Sequence, residues 1–411
     1  MAVPPVSVPP LVEPGTRLTP TELVRYSRHV LLPQIGEQGQ RRLRNARVCV
    51  VGAGGLGAPV LQYLAAAGVG RIGIVDFDEV DETNLQRQVI HRQADVGRPK
   101  VDSAREAVLE RNPDVDVVVH AVRLEQDNVD AVLGGYDLVV DGTDNFPTRY
   151  LVADASARLG LPHVWGSIFR FDAQVTVFWA APPAGSEVPA VGLRDLFPVP
   201  PAPGTVPSCA EGGVLGPMCG QVGSLMATEV IKLVTGAGSP LIGRVAVLDA
   251  LASRWHEVSL AGTAAQPVRR GSDGEQPGSS PQTAVSDGEH RTNDIPQEAA
   301  VVGAVHPAEL AARLDARAAG EDDFVLLDVR EPHEHAAMSI AGAILTPLAS
   351  VLDGSGLVDL DPRRAVVVHC HSGVRSQRAA EVMVARGFAR VDNLDGGIVA
   401  WLRSPEGAAA R

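Results

Sequence analysis

The sequence feature that most constrains the fold is a glycine-rich turn between a strand-like run and a helix-like run. The apolar run 48–51 leads into the turn 52–57, which reads Gly-Ala-Gly-Gly-Leu-Gly, and a helical pattern follows. Such glycines let the backbone approach a phosphate group, and the helix N-terminus supplies free N–H donors. Asp76 ends the next strand-like run, nineteen residues after Gly57, where a carboxylate can bind ribose hydroxyls. The pattern predicts nucleotide binding, but it does not choose between a dinucleotide and ATP, and it leaves open a degenerate nucleotide fold.

Strand-like and helix-like runs alternate along most of the chain, which predicts parallel α/β sheets. The first pattern has strands at 48–51, 71–75, 115–119 and 138–140, and helices at 19–32, 59–67, 100–111 and 127–133. A second pattern has strands at 324–327 and 365–369, and helices at 306–317 and 376–386. We therefore expect a larger and a smaller α/β domain.

Composition divides the 411 residues into four parts. Residues 1–17 form a proline-rich tail, 18–261 the large domain and 301–411 the small domain. The segment between them, 262–300, is rich in glycine, proline and serine and contains no Phe, Tyr or Trp. A segment of this kind cannot bury enough apolar surface to order itself, so we expect a flexible linker.

Charge and residue usage exclude several classes of protein. The net charge of −13 argues against general nucleic-acid binding, which depends on cations that neutralise phosphates. The four cysteines contain no C-x-x-C pair and no secretory signal pattern precedes them, which indicates a cytoplasmic protein. No apolar run reaches 18 residues, so we expect no membrane span. The histidines show no metal cluster, and we expect His333 and His335 to lie in a solvated turn.

Three further motifs carry groups that suit a triphosphate. They read Asp-Glu-Thr-Asn-Leu-Gln-Arg-Gln at 81–88, Gly-Arg-Pro-Lys at 97–100 and Asp-Gly-Thr-Asp-Asn at 141–145. Arg87 and Lys100 can neutralise phosphate charge, and Asp144 is a hard carboxylate of the kind that Mg²⁺ takes together with phosphate oxygens. Each residue alone fits a surface charge or, for Asp144, a helix N-cap. Their joint order after the glycine-rich turn favours ATP.

The motifs in this order resemble the ubiquitin-activating-enzyme-like adenylyltransferases that activate small sulfur-carrier proteins, among them the molybdopterin-synthase and thiamine-biosynthesis adenylyltransferases. The resemblance covers about 25–258 and includes Cys-Ala-Glu-Gly-Gly-Val-Leu-Gly at 209–216. It implies a Rossmann-like adenylation domain of the ubiquitin-activating type that uses ATP and Mg²⁺ and works as a homodimer. The implied ATP-binding residues are Gly52, Gly54, Gly55, Gly57, Asp76, Thr83, Asn84, Leu85, Gln86, Arg87, Lys100, Asp144, Asn145 and Arg28.

The resemblance also implies individual roles. The glycines 52–57 and Asp76 hold the adenosine part, whereas Asn84, Arg87 and Lys100 hold the phosphates. Arg87 reaches into the site of the other subunit, and Arg28 adds a further phosphate contact. Asp144 holds Mg²⁺, with Asn145 beside it. Arg87 and Asp144 are thus candidate catalytic residues.

One departure from the family concerns zinc. Many members carry two C-x-x-C pairs that bind a structural zinc ion. Here the pairs would fall at 190–196 and after Leu260, and neither place contains a cysteine. Structural zinc requires four closely spaced Cys or His ligands, so we expect no zinc site.

The cysteines of the large domain fall into three environments. Cys49 lies inside the first strand and is expected to be a core residue. Cys219 precedes an apolar helix and is also expected to pack. Cys209 follows a proline-rich segment that we expect to be mobile and precedes two glycines. The resemblance makes Cys209 the candidate that bonds to the carrier protein; a loop cysteine without a role is the alternative.

Cys370 opens a loop, Cys-His-Ser-Gly-Val-Arg-Ser, between a strand and a helix. Backbone N–H groups and a helix N-terminus around such a loop favour a thiolate or persulfide anion, and Arg375 adds positive charge. Together with 326–334 and the run 396–401, this loop resembles the rhodanese sulfurtransferases, although Ser339 stands where the family usually has histidine. The alternative is a C-x₅-R phosphatase, but Cys370 and Arg375 are one residue too close, which favours sulfur transfer.

The two modules on one chain resemble the MoeZ-type fusion proteins of bacteria. This resemblance implies ATP-dependent adenylation of the C-terminal glycine of a ubiquitin-like carrier ending in Gly-Gly, followed by transfer of sulfur from Cys370 to give a thiocarboxylate. The sulfur donor would be a cysteine desulfurase or thiosulfate, and the carrier and its pathway stay open. A dinucleotide-dependent oxidoreductase and a catalytically inactive scaffold are the alternatives.

Overall fold

The structure is a computed structural model that describes residues 6–201, 213–262 and 302–409. The chain divides into two compact units, Met1–Ser272 and Asp273–Arg411, and each is described by itself. Apart from Gly262, the expected linker lies outside the described residues, so its flexibility stays a prediction. No helix within the described ranges is both long and apolar enough to cross a membrane.

The first unit combines nine helices with one sheet in its described part. The helices are α1 (Pro20–Arg25), α2 (Ser27–Val30), α3 (Gly36–Asn45), α4 (Gly57–Ala67), α5 (Lys100–Arg111), α6 (Val129–Leu133), α7 (Phe146–Leu159), α8 (Leu193–Leu196) and α9 (Gly216–Thr235). The strands are β1 (Arg47–Val51), β2 (Arg71–Val75), β3 (Asp116–His120), β4 (Leu138–Asp141), β5 (His163–Phe169), β6 (Asp172–Phe178), β7 (Arg244–Asp249) and β8 (Arg254–Ser259).

The eight strands follow the order β3-β2-β1-β4-β5-β6-β7-β8. β1 to β5 run parallel, as the alternating pattern predicts, whereas β6 to β8 add antiparallel strands that the pattern did not predict. Because β1 lies between β2 and β4, the direction of the connections changes there, and a crevice opens at the carboxyl ends of these strands. At the far edge, every residue of β8 is exposed.

The N-terminal segment differs from its prediction in two ways. The helix expected over 19–32 divides into α1 and α2 at Tyr26, which adopts a non-helical conformation. The Tyr26 ring is buried, and its hydroxyl accepts a hydrogen bond from Asn112 Nδ2 at 2.9 Å, so a tertiary contact overrides local helix propensity. Val8 and Val12, which the sequence assigns to a tail, are buried in the main core.

The second unit is a smaller α/β layer structure. Its strands are β9 (Gly303–Val305), β10 (Phe324–Asp328), β11 (Ile344–Leu345), β12 (Ala365–His369) and β13 (Val391–Leu394). Its helices are α10 (Pro307–Ala319), α11 (Pro332–Ala337), α12 (Leu348–Asp353), α13 (Val374–Ala385), α14 (Gly397–Arg403) and α15 (Pro405–Ala409). All strands are parallel, in the order β11-β10-β12-β13-β9. β10 and β12 are buried at every position, as expected of central strands covered on both faces. Both units are therefore α/β, as predicted.

Candidate functional site

The glycine-rich turn occupies the crevice between β1, β2 and β4. Gly52 has a φ of +92°, which only glycine adopts without strain, and its N–H donates to Val75 O at 2.7 Å. A Cβ atom on Gly57 would lie 1.8 Å from the Gly52 carbonyl oxygen. Gly57 is therefore required for helix α4 to begin immediately behind the turn, with its N-terminus toward the crevice.

Asp76 connects the turn to the chain that follows β2. Its Oδ2 accepts the Ala53 N–H at 2.8 Å, and its Oδ1 accepts the Asp78 N–H at 2.9 Å. A carboxylate offers about four acceptor positions, so these two bonds orient Asp76 and leave capacity for ribose hydroxyls. The residue thus suits the role that the sequence assigns to it.

A cleft extends from the turn across the ends of β2 and β4. Among the residues assigned from the sequence, those that line it are Gly52, Gly54, Gly55, Asp76, Arg87, Lys100, Asp144 and Asn145. Gly57 lies behind the turn, at the start of α4. Within the described ranges, the remaining assigned residues do not line this cleft; they are Thr83, Asn84, Leu85, Gln86 and Arg28. Their roles stay predictions, as does the placement of Arg87 in the partner's site.

Arg87 and Lys100, two of the four cationic residues that line the cleft, are held in different ways. Lys100 is almost buried, and its Nζ lies 2.8 Å from Asp78 Oδ2. Arg87 Nη1 donates to the Thr83 carbonyl oxygen at 3.0 Å, which anchors the guanidinium without neutralising it. Lys100 is thus already paired with a carboxylate, whereas the contact of Arg87 with Thr83 leaves its positive charge available to a phosphate.

In the motif 141–145, one residue caps a helix and another presents an exposed carboxylate. Asn145, not Asp144, caps α7, because Asn145 Oδ1 accepts the Thr148 N–H at 2.9 Å. Asp144 is exposed, and its carboxylate makes no hydrogen bond or ion pair to the part of the chain that the structure describes. A carboxylate that is exposed in the cleft and makes no such bond is suited to Mg²⁺, which completes its coordination shell with phosphate oxygens and water. No cluster of three or more potential metal-ligating residues occurs in the described ranges, so Mg²⁺ and zinc stay untested.

The buried carboxylate of Asp141 holds the motif 141–145 in place through hydrogen bonds. Asp141 Oδ1 accepts the N–H and the Oγ1–H of Thr143 at 2.9 and 2.7 Å. Burial alone would raise the pKa of Asp141, but His163, Arg149 and Thr143 outweigh it, so the pKa is lowered. Arg149 Nη2 in turn donates to the Thr143 carbonyl oxygen at 2.9 Å. The turn that presents Asp144 is therefore fixed on both sides.

Sequence reasoning missed several residues that line the cleft. The Phe77 ring is exposed and lies beneath the Arg123 guanidinium, 4.2 Å from its carbon, near Val122. Gln88, the last residue of the motif 81–88, is buried, and its Oε1 has no hydrogen-bond partner within the described residues. Motif position could have indicated Gln88. No sequence signal indicated Phe77, Val122 and Arg123, because only tertiary packing brings them together.

Two of the three cysteines of the first unit, Cys49 and Cys219, lie in described residues, and both are buried as expected. Cys49 is fully buried in β1, and burial raises the pKa of its thiol, which confirms its core role. Cys219 is also buried, as expected, but it lines the cleft, and a Cβ atom on Gly55 would lie 2.8 Å from its Sγ. Cys209 lies outside the described residues, so its role stays a prediction.

The two segments in which C-x-x-C pairs were considered have their own apolar packing. Val191 and Leu193 are buried in one cluster with Leu260 and the aromatic rings of Trp165 and Tyr150. Hydrophobic burial therefore connects the two segments in which the C-x-x-C pairs would fall.

In the second unit, Cys370 lies directly after β12 and is almost completely buried. Its Sγ accepts the Gly373 N–H at 3.2 Å and the Ser376 hydroxyl at 3.3 Å. Helix α13 begins at Val374, two residues before its predicted start, so Ser376 lies in the first turn and can reach the sulfur. Donors around the sulfur and a helix N-terminus both favour an anion.

A second helix holds the same loop. The N–H groups of Ile398 and Val399, in the first turn of α14, donate to the carbonyl oxygens of Cys370 at 2.8 Å and His371 at 3.2 Å. Gly397 has a φ of +57°, and a Cβ there would lie 2.6 Å from His371 O and 2.7 Å from Cys370 O. The glycine pair of the motif 396–401 is therefore required for α14 to approach the cysteine loop.

Helix α11 contributes two ion pairs beside this loop. Arg375 Nη1 and Nη2 each lie 2.8 Å from an oxygen of Glu334, so the positive charge expected beside the cysteine loop is paired with a carboxylate. His335 Nδ1 lies 2.8 Å from Oδ2 of the buried Asp328. The prediction that His335 lies in a solvated turn is wrong, because β10 brings a buried carboxylate to this helix.

Comparisons with known proteins agree with both units. The model of the ThiF family matches residues 26–268, and that of the rhodanese-like domain matches residues 306–404. The chain is 47% identical over 400 residues, 97% of each chain, to the "Probable adenylyltransferase/sulfurtransferase MoeZ" of Mycobacterium tuberculosis. It is 51% identical over 244 residues, 59% of this chain and 89% of the other, to the "Sulfur carrier protein adenylyltransferase" of Thermus thermophilus.

A solved structure of MccB from E. coli shares the fold. Its TM-score is 0.53 at 22% identity, over 61% of this chain and 73% of that chain. An identity this low supports the fold alone, whereas the MoeZ relative matches along nearly the whole chain. This chain therefore belongs to the adenylyltransferase/sulfurtransferase family, in which a ThiF domain is followed by a rhodanese-like domain.

Proposed function

We propose that the protein adenylates the C-terminal glycine of a ubiquitin-like sulfur carrier with ATP and then converts it to a thiocarboxylate with sulfur from Cys370. The observation that carries the first half is the cleft, where the glycine-rich turn, the cations Arg87 and Lys100 and the carboxylate of Asp144, which has no described partner, meet. The dinucleotide oxidoreductase considered from the sequence does not fit the family. The inactive scaffold finds no support, because Arg87, Lys100 and Asp144 all line the cleft.

In the adenylation step, Asp76 and the glycine-rich turn bind the adenosine part, and the middle of the turn approaches the phosphate next to it. The exposed Phe77 ring and Val122 offer the apolar surface at that end of the cleft. Arg87 and Lys100 offset the charge of the phosphates while the carrier carboxylate attacks the α-phosphorus, and pyrophosphate leaves. Mg²⁺ held by Asp144 would supply charge stabilisation at the phosphates when it is bound.

In the sulfur-transfer step, Cys370 carries a persulfide. The outer sulfur attacks the carbonyl carbon of the acyl-adenylate, a carbon–sulfur bond forms, and the bond to AMP breaks, which leaves the carrier as an acyl disulfide on Cys370. A thiolate then attacks Cys370 Sγ, the sulfur–sulfur bond breaks, and the thiocarboxylate leaves. A further thiol reduces the disulfide that this attack forms on Cys370. Gly373 N–H and Ser376 Oγ–H, which donate to Cys370 Sγ, stabilise the thiolate form of Cys370 that takes up the sulfane sulfur. Arg375 would fix the loop through Glu334 rather than act as a free cation.

The finer assignments rest on the family resemblance. We assign to Cys209 a bond to the carrier, as a thioester or an acyl disulfide. The active form is a homodimer in the cytoplasm with Arg87 acting across the interface, and the carrier ends in Gly-Gly and serves molybdopterin, thiamine or a related pathway. The sulfur donor is a cysteine desulfurase or thiosulfate.

The decisive experiment measures ATP–pyrophosphate exchange with a panel of purified carriers that end in Gly-Gly. We expect exchange that depends on one or a few carriers and is lost when their terminal glycine is removed. A matched control is Cys370→Ala, which should leave exchange unchanged and abolish thiocarboxylate formation. Absence of exchange with every carrier, despite tight ATP binding, would contradict the proposal.

A further inference from the structure

His91 is a buried histidine that contacts the glycine-rich turn from behind. Its ring is almost fully buried, and its Nε2 lies 3.0 Å from the Ala53 carbonyl oxygen. Its Nδ1 lies 2.8 Å from Ser103 Oγ, which also bonds to Asp95 Oδ2 at 2.9 Å. The ring thus connects α5 to the second residue of the turn, 38 residues away in sequence from His91.

Ala53 is held on both sides. Its N–H donates to Asp76 Oδ2 at 2.8 Å, and its carbonyl faces His91. In a trans peptide the carbonyl of one residue and the N–H of the next point in opposite directions. The Gly54 N–H is therefore directed away from His91, on a residue that lines the cleft.

Glycine makes this peptide easy to rotate, because Gly54 carries no Cβ that would resist a flip. A Cβ on Gly54 would meet only Gln88 Nε2, at 3.6 Å. After a flip, the Ala53 carbonyl oxygen would face the cleft and repel a phosphate. Something other than local sterics must therefore hold the peptide in the orientation that favours an anion.

The protons of the network assign the tautomer of His91. A carbonyl oxygen only accepts, so Nε2 must carry a hydrogen to bond to Ala53. Burial lowers the pKa of His91, and Lys100 lowers it further, against the Ala53 hydrogen bond and the carboxylates of Asp76 and Asp95. The neutral ring then has its single hydrogen on Nε2, and Nδ1 shares the one hydroxyl hydrogen of Ser103 with Asp95 Oδ2.

We propose that His91 is a positioning residue that holds the Ala53–Gly54 peptide so that the Gly54 N–H donates to a phosphate of ATP. The inference rests on the proposed adenylation of a carrier with ATP and adds a residue that contacts neither substrate. Loss of one hydrogen bond to a charged group should weaken ATP binding about ten- to a hundredfold. Binding of adenosine, which has no phosphate, should not change.

Two substitutions separate the two ring nitrogens. In His91→Gln the amide N–H stands at the ε position and can still donate to Ala53, whereas in His91→Asn it stands at the δ position and faces Ser103. We would measure the dissociation constants of ATP and adenosine on the full-length chain, and its thermal unfolding. His91→Gln should stay close to the wild type, whereas His91→Asn should lose ATP affinity and keep adenosine affinity.

The outcomes distinguish the proposal from its premise. Equal ATP affinity of His91→Asn and the wild type would overturn the role of His91, and so would a parallel loss of ATP and adenosine binding. Failure of the wild-type chain itself to bind ATP would overturn the proposed function. Nitrogen NMR of histidine-labelled wild type tests the tautomer without any substitution, and a hydrogen on Nδ1 alone would overturn the proposal.

Discussion

The contact between Gly397 and the cysteine loop makes a sharp prediction. In Gly397→Ala, the added Cβ would lie 2.6 Å from His371 O and 2.7 Å from Cys370 O. To reach an ordinary contact of 3.4 Å, the Cys370 carbonyl must move by 3.4 − 2.7 = 0.7 Å. Both carbonyls accept hydrogen bonds from the first turn of α14, so the loop cannot move without loosening that helix.

The expected cost has two parts. Alanine in the left-handed region costs about 1–2 kcal/mol, and overpacking a buried contact costs about 1–3 kcal/mol more. Gly387→Ala is the matched control, because Gly387 has a φ of +91° in the same unit and an added Cβ would meet nothing within 4 Å. The free energy of unfolding should therefore fall by about 1–2 kcal/mol in the control and by about 2–5 kcal/mol in Gly397→Ala.

Urea unfolding measures the loss of stability, and thiosulfate:cyanide sulfurtransferase activity measures the effect of the shifted cysteine loop on catalysis. A shift of the Cys370 loop by a large fraction of an ångström should lower kcat of Gly397→Ala by about tenfold or more, at a temperature where the unit is folded. Gly387→Ala should retain full kcat. Equal unfolding midpoints of the two variants, or full activity of Gly397→Ala, would refute the claim that the glycine positions the cysteine.

Four further predictions concern metal, assembly and pH. Asp144→Ala should lower ATP–pyrophosphate exchange on the order of a hundredfold or more with an unchanged unfolding curve; near-normal exchange would contradict the magnesium role. Mixing Arg87→Ala with Asp144→Ala should restore activity if Arg87 acts across a homodimer, and a monomer in sedimentation would rule this out. Metal analysis should find no stoichiometric zinc. About one zinc ion per chain that remains after dialysis would disprove this prediction. Burial lowers the pKa of His369 to about 4 from 6.5. The neutral ring therefore contributes stability that is complete above pH 6.5 and is lost as the pH falls toward 4, and the loss in the free energy of unfolding is about 3 kcal/mol. In urea unfolding, His369→Asn should show a smaller dependence on pH than the wild type.

The sequence predicted most of the parallel α/β architecture because its signal is local. The turn 52–57 and the apolar runs of β1, β2 and β4 carry their own periodicity and glycine chemistry. The division of the first helix at Tyr26 could not be predicted, since it depends on a hydrogen bond to Asn112, 86 residues away. The antiparallel strands β6 to β8 were also missed, although β6 and β7 are largely buried and only β8 is exposed throughout.

For the sites, motif order predicted the residues that would face a ligand but not those that hold them in place. Asp76, Asp144 and Cys370 stand at strand ends, where parallel sheets bind ligands, and a motif marks each one. The bonds of His91 to Ala53 and of Glu334 to Arg375 join residues 38 and 41 positions apart. Spacing along the chain carries no information about such contacts, so only the folded structure reveals them.

The exposure of β8 has a consequence for how its alignment with β7 is determined. In most strands, a slip of one residue moves apolar side chains from the core into water, and this penalty fixes the register. Every side chain of β8 is exposed, so a slip would cost no core burial. The register must then depend on the backbone ladder, on the ion pair between Arg244 of β7 and Glu257 of β8 at 2.9 Å, and on the turn. In this turn Asp249 Oδ1 accepts the Ala252 N–H at 2.9 Å, and Ser253 has a φ of +52°. Changes in the length or conformation of this turn would therefore slide the strand, whereas substitutions along β8 at positions other than Glu257 would leave its alignment intact.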